Sequence, residues 1–88
     1  DRHRMWLNVL PEHTPRDDAL DFALMARRYK LTGGNIRNVA LAAAFLAADD
    51  GDMIRMTHLI AATQREYQKM GKLVHDGAFD QAPAAAAP

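Results

Sequence analysis

The feature that most constrains this chain is a run of ten apolar residues, Val39 to Ala48, six of them alanine. Thr32-Gly33-Gly34-Asn35 leads into it, and Asp49-Asp50-Gly51-Asp52 closes it. Alanine is the strongest helix former, and a helix that is apolar nearly all round is expected to be a central, buried one. Its small side chains let neighbouring helices approach closely. The run is only about half the roughly 20 residues that a membrane span requires. Thr32 is the predicted N-cap, because a threonine hydroxyl can accept an otherwise unpaired N–H of the first turn.

Three further helical segments follow from the same reasoning. Met5, Trp6, Val9 and Leu10 recur at helical spacing, which predicts a first helix over about 2–9 that Pro11 stops. A second is expected from about Asp17 to Tyr29. Thr14 would cap it, Pro15 would take the first helical position, and Asp17 and Asp18 would lie in the first turn. Arg27, Arg28 and Lys30 would then suit its negative end. Met53 to Met56 is expected to be a short extended link. A fourth helix should run from about His58 to Met70, capped by Thr57 and stopped by Gly71. The fold class predicted is all-α, a small four-helix bundle over 1–73, followed by a disordered Ala/Pro tail over 74–88.

Composition narrows the chemistry. Of 88 residues, 17 are alanine, and Leu, Ile, Val and Phe together number 18, so one small core is the most the chain can build. The absence of cysteine excludes disulfides and thiolate metal sites and leads one to expect a reducing, cytoplasmic setting. The absence of serine excludes a serine nucleophile. Basic and acidic residues cancel at eleven each, so no global field draws the chain to nucleic acid or an anionic membrane, and neither partner is expected. The clustered carboxylates Asp17/Asp18 and Asp49/Asp50/Asp52 read best as solvated helix ends. No two of His3, His13, His58 and His75 lie four apart, so no metal site is expected. The chain starts Asp-Arg-His-Arg with no initiator Met, as expected of a piece of a larger protein.

One constellation invites a ligand, Leu31-Thr32-Gly33-Gly34-Asn35-Ile36-Arg37-Asn38. A helix start presents unpaired N–H groups and a positive dipole end. Two glycines let a ligand approach the backbone, and Arg37 adds a charge that could meet a phosphate. The residues alone leave a second reading open, a flexible loop ahead of a helix with Arg37 merely exposed.

The order of segments adds to this. A short helix, a proline-broken loop, a helix with an Asp-rich start, Thr-Gly-Gly-Asn-Ile opening a buried alanine helix, and a short link into a last amphipathic helix ending Glu66-Tyr67-Gln68-Lys69-Met70-Gly71-Lys72 follow one another. This resembles the C-terminal α-helical lid subdomain of AAA+ ATPases, in the Cdc48-like branch and of bacterial type. The resemblance covers about Arg2 to Lys72. The wording Leu-Thr-Gly-Gly-Asn-Ile-Arg-Asn-Val is similar to bacterial AAA ATPases, some of which accompany contractile injection systems.

The resemblance implies a lid that closes over the adenine of ATP and passes nucleotide state to the next subunit of a ring, usually a hexamer. Met5 and Val9 would face the adenine, and Gly33 and Gly34 would lie beside base and ribose. Arg37 would reach toward the phosphates or the neighbouring subunit, while Asn35 stands where the family often has Asp or Arg. The implied partners are a large α/β subdomain of the same chain, which would supply the magnesium site, the neighbouring subunits, and an unidentified protein substrate. No phosphate-binding G-x-x-x-x-G-K-[ST] loop occurs here, so the parent would be the ATPase and this segment alone would hydrolyse nothing. The alternative is a free-standing helical adaptor that binds a partner protein without nucleotide.

Overall fold

The computed structural model describes residues 1–11 and 13–73. The chain is all-helical, with four helices in the order α1 (Arg2–Val9), α2 (Phe22–Arg28), α3 (Gly33–Asp49) and α4 (Met56–Leu73). The predicted tail over 74–88 lies outside the described residues. No helix among the described residues is long and apolar enough to cross a membrane.

α3 is the organising element. It packs against α4 along one side and against α1 on another, while α1 also packs on α2. Ile36, Val39, Ala40, Ala43 and Ala47 form its buried stripe. They meet Leu59 and Ala62 of α4 and Trp6 of α1 in a single core with Met25 and Leu31. The expectation that α3 is buried all round is corrected. Leu41 and Phe45, one turn apart, are 60% and 68% exposed. Among the described helices, α1 and α4 pack on α3, and they leave part of its apolar surface uncovered.

Trp6 anchors α1. Its ring is fully buried and stacks on Phe22 at 6.2 Å between centroids. Aromatic pairs of this kind contribute about 0.5–1.5 kcal/mol beyond area burial. The indole Nε1 has no hydrogen-bond partner among the described residues.

Two helix starts differ from expectation, and they lie on the two sides of one bridge. α2 begins at Phe22, capped by Asp21, whose carboxylate accepts from the Leu24 N–H at 2.9 Å. The stretch before it is committed elsewhere. Ile54 N–H donates to the Pro15 carbonyl at 3.0 Å, and Asp17 N–H donates to the Ile54 carbonyl at 2.9 Å, which makes a single parallel bridge between Arg16 and Ile54. Backbone held in that bridge cannot also open a helix, so Thr14 caps nothing and Asp17 turns the chain through its own carboxylate, which accepts from Ala19 N–H at 3.1 Å. At the other side of the bridge, α4 starts at Met56, two residues before expectation, with His58 and Leu59 N–H both donating to the Arg55 carbonyl. Gly71 lies inside α4 and does not stop it. Among the described residues, the glycine with a positive φ is Gly51, at 65°, in the turn after α3.

Candidate functional site

The site is built around the opening turn of α3. Thr32 is its N-cap, as predicted. Asn35 N–H donates to Thr32 Oγ1 at 3.1 Å, and Thr32 N–H donates back to Asn35 Oδ1 at 3.3 Å. This is a capping box with asparagine in the place usually held by Glu or Gln. The Thr32 hydroxyl also donates to Asn35 Oδ1 at 2.7 Å. The amide end of Asn35 is thereby left free to point at α4.

There it meets Glu66. Asn35 Nδ2 donates to Glu66 Oε2 at 2.9 Å, and Asn38 Nδ2 donates to the same oxygen at 3.1 Å. Lys69 Nζ lies 3.2 Å from the other oxygen, Oε1. Glu66 is 5% exposed. Burial pushes its carboxyl pKa up, but the hydrogen bonds from Asn38, Asn35 and Lys69, with the charge of Lys69, outweigh that and hold it below the ordinary carboxylate value. The opening turn is therefore fastened to α4 through a buried, charged carboxylate.

The opposite side of the same turn is open. Gly33 and Gly34 N–H have no acceptor among the described residues, so the positive end of α3 is uncovered. Beside it lies a pocket of about 290 Å³, lined by Met5, Asn8 and Val9 of α1 and by Gly33, Ile36 and Arg37 of α3. Its size is at the lower edge of small-molecule sites, which run from about 300 to 1,000 Å³. A Cβ on Gly33 would lie 3.4 Å from Met5 Sδ, so the thioether rests over the bare backbone. Asn35 and Arg37 are two residues apart and about 200° around the helix, which sends one to α4 and the other to the α1 side. Arg37 is exposed and has no ion pair or hydrogen bond among the described residues.

Four of the five residues singled out in the sequence, Met5, Val9, Gly33 and Arg37, thus line one pocket. Gly34 does not line it. It is exposed, and a Cβ there would meet nothing nearer than Thr32 Oγ1 at 3.8 Å.

The acidic end of α3 is a latch. His58 Nδ1 accepts from Arg55 N–H at 3.0 Å, which fixes the ring proton on Nε2, and Nε2 faces Asp50 Oδ2 at 2.8 Å. Arg55 lies 2.8 Å from Asp52 and 3.3 Å from Asp17. Hydrogen bonds from Arg55 and from Met53 N–H hold the Asp52 carboxyl below its ordinary value. No group of three potential metal ligands is assembled among the described residues. His3 and His13 are exposed, and His75 lies outside the described residues.

Sequence reasoning missed Glu66 and His58 as key residues. Glu66 is seven residues after Leu59 and three after Thr63, a charge on the buried stripe of an amphipathic helix. His58 stands at the third position of its helix, where a side chain can reach back to the cap. The chain matches no protein-family model, no curated protein and no solved structure.

Proposed function

We propose that the chain is the lid subdomain of an AAA+ ATPase, closing over the adenine of ATP held chiefly by an α/β subdomain that this segment does not include. The single observation that supports this is the meeting of Met5, Val9, Gly33 and Arg37 around one pocket at an uncovered helix start. The lining suits a purine. Ile36, Val9 and the Met5 thioether offer apolar and polarisable surface for a flat ring. Asn8 donates its Nδ2 to the Arg4 carbonyl at 2.9 Å, which leaves its Oδ1 to accept from an exocyclic amine. Arg37, four residues after Gly33 on the same face, would meet the negative charge that follows the ribose. Magnesium and the attacking water would belong to the other subdomain. The lid's part is positional, with nucleotide state setting its angle to that subdomain within a ring.

The test is a titration of the isotope-labelled chain with ATP, and separately with tripolyphosphate, followed by NMR. Binding is expected to be weak, with the Met5 methyl and the Gly33 amide shifting for ATP and the Met5 methyl unmoved by tripolyphosphate. Perturbations that avoid both residues sink the reading. The adaptor alternative draws on a different observation, the exposed Leu41 and Phe45, and predicts no response to either compound.

A further inference from the structure

One exposed row of α3 reads Arg37, Leu41, Phe45, Asp49, each four residues after the last. Leu41 and Phe45 are the two most exposed large apolar side chains among the described residues. Arg37 and Asp49 are exposed, and neither has an ion pair or hydrogen bond among the described residues. The row is therefore a cation, two apolar residues and an anion, spread over roughly 18 Å of helix axis. Reversed end to end, it complements itself. A twofold axis between Leu41 and Phe45 sets Leu41 against Phe45 of a second copy, and Arg37 against its Asp49.

We infer that the Arg37–Leu41–Phe45–Asp49 row of α3 is a self-association surface, on which two copies of this chain pair α3 against α3, antiparallel, about a twofold axis.

Four further points fit. Rows of residues four apart interdigitate when two helices cross at about −50°, the commonest packing in globular proteins. The flanking Ala40, Ala44 and Ala48 keep the surface low enough for two backbones to approach. A groove of about 310 Å³, lined by Val9, Pro11, Arg37, Ala40, Leu41 and Ala44, runs beside Leu41, where the pairing places Phe45 of the second copy. Zero net charge removes the repulsion that would otherwise keep copies apart. Arg37 also lines the Met5–Gly33 pocket, but Leu41, Phe45 and Asp49 lie outside it, and the pairing requires no nucleotide. A single helix pair is a small interface, so the association belongs to the weak, micromolar-to-millimolar class.

Sedimentation equilibrium of the 88-residue chain without nucleotide, from micromolar to millimolar concentration, tests it. The expected result is a monomer–dimer equilibrium that Phe45→Glu weakens by at least about 100-fold, because it buries a charge in the seam. Arg37→Asp and Asp49→Arg should each weaken it about tenfold, and the double variant should recover to within about threefold of wild type. A second measurement needs no charge in the seam. The chain has no cysteine, so L41C and F45C chains can be mixed and oxidised. The mixed disulfide should exceed the half expected from random pairing. A chain that stays monomeric throughout, a charge-reversed double variant no tighter than either single one, or random disulfide pairing would each overturn the proposal and leave the row to some other partner.

Discussion

The two ends of α3 are both fastened to α4, by opposite means. At the closing end, Asp50 and Asp52 are outside carboxylates reaching in or across, to His58 and Arg55. The Asp50 side chain is 62% exposed, so water remains an alternative partner. At the opening end the carboxylate is the buried member, and two α3 amides converge on it. Charge at the acidic end is solvated and replaceable, whereas Glu66 at the other end is largely withdrawn from water. The comparison teaches that a helix start left open on one side is fastened on the other. Gly33 and Gly34 can present bare N–H groups on one side because Asn35 and Asn38 are held on the other.

The largest effect should come from breaking that fastening. Glu66→Ala leaves the half-buried Asn35 amide and the exposed Asn38 amide without their shared acceptor and is expected to cost about 1–3 kcal/mol in denaturant unfolding. Asp50→Ala at the exposed latch should cost about 0.5–1 kcal/mol. Equal losses would erase the distinction between the two ends.

Acid should separate them by another route. Because the folded-state pKa of Glu66 lies below its unfolded value, its stabilisation is fully present above about pH 4.5 and is lost as pH falls through the folded value. The melting temperature should therefore drop on acidification from pH 5 toward about pH 3, and Glu66→Gln should flatten that drop. A variant as acid-sensitive as wild type would remove Glu66 from the account.

Much of this was legible from residue types, and each miss has a physical reason. Thr32, the pair Gly33-Gly34 and the span of α3 follow from local rules, since caps, glycines and apolar runs act within a few residues. So does the four-helix class. The start of α2 was misplaced because Pro15 and Asp17 pair with Ile54, nearly forty residues on, and a long-range bridge outweighs a plausible local cap. The start of α4 falls before Thr57 because His58, a helix residue as expected, also accepts from the Arg55 N–H and so supplies the cap from inside the first turn. Glu66 is a charge and so has no place in an apolar stripe, although its position in the 59–63–66 series puts it on the buried face. Exposure of Leu41 and Phe45 could not be read at all, since a pattern says that a residue is apolar and not whether a neighbour exists to cover it.

Glycines sharpen the comparison at smaller energies. Gly51 turns the chain at the closing end with φ 65°, a region where a Cβ is strained, so Gly51→Ala should cost about 1 kcal/mol.

The two opening-end glycines have no such need, and their substitutions should have the smallest effects on stability. Gly34 is exposed in an ordinary helical turn, and Gly34→Ala should stabilise by about 0.4–0.8 kcal/mol through the unfolded chain. Gly33→Ala should gain less, because its Cβ would press on the Met5 thioether at 3.4 Å, although that flexible side chain can yield. If a purine uses the pocket, the ligand readout reverses the usual ranking by stability. Gly33→Leu would project into the space beside Met5 and Val9 and abolish the ATP-dependent shift, while Gly34→Leu, outside the lining, would leave it in place. The natural glycine at 33 is then explained by what must fit beside it, since α3 would fold about as well with alanine there.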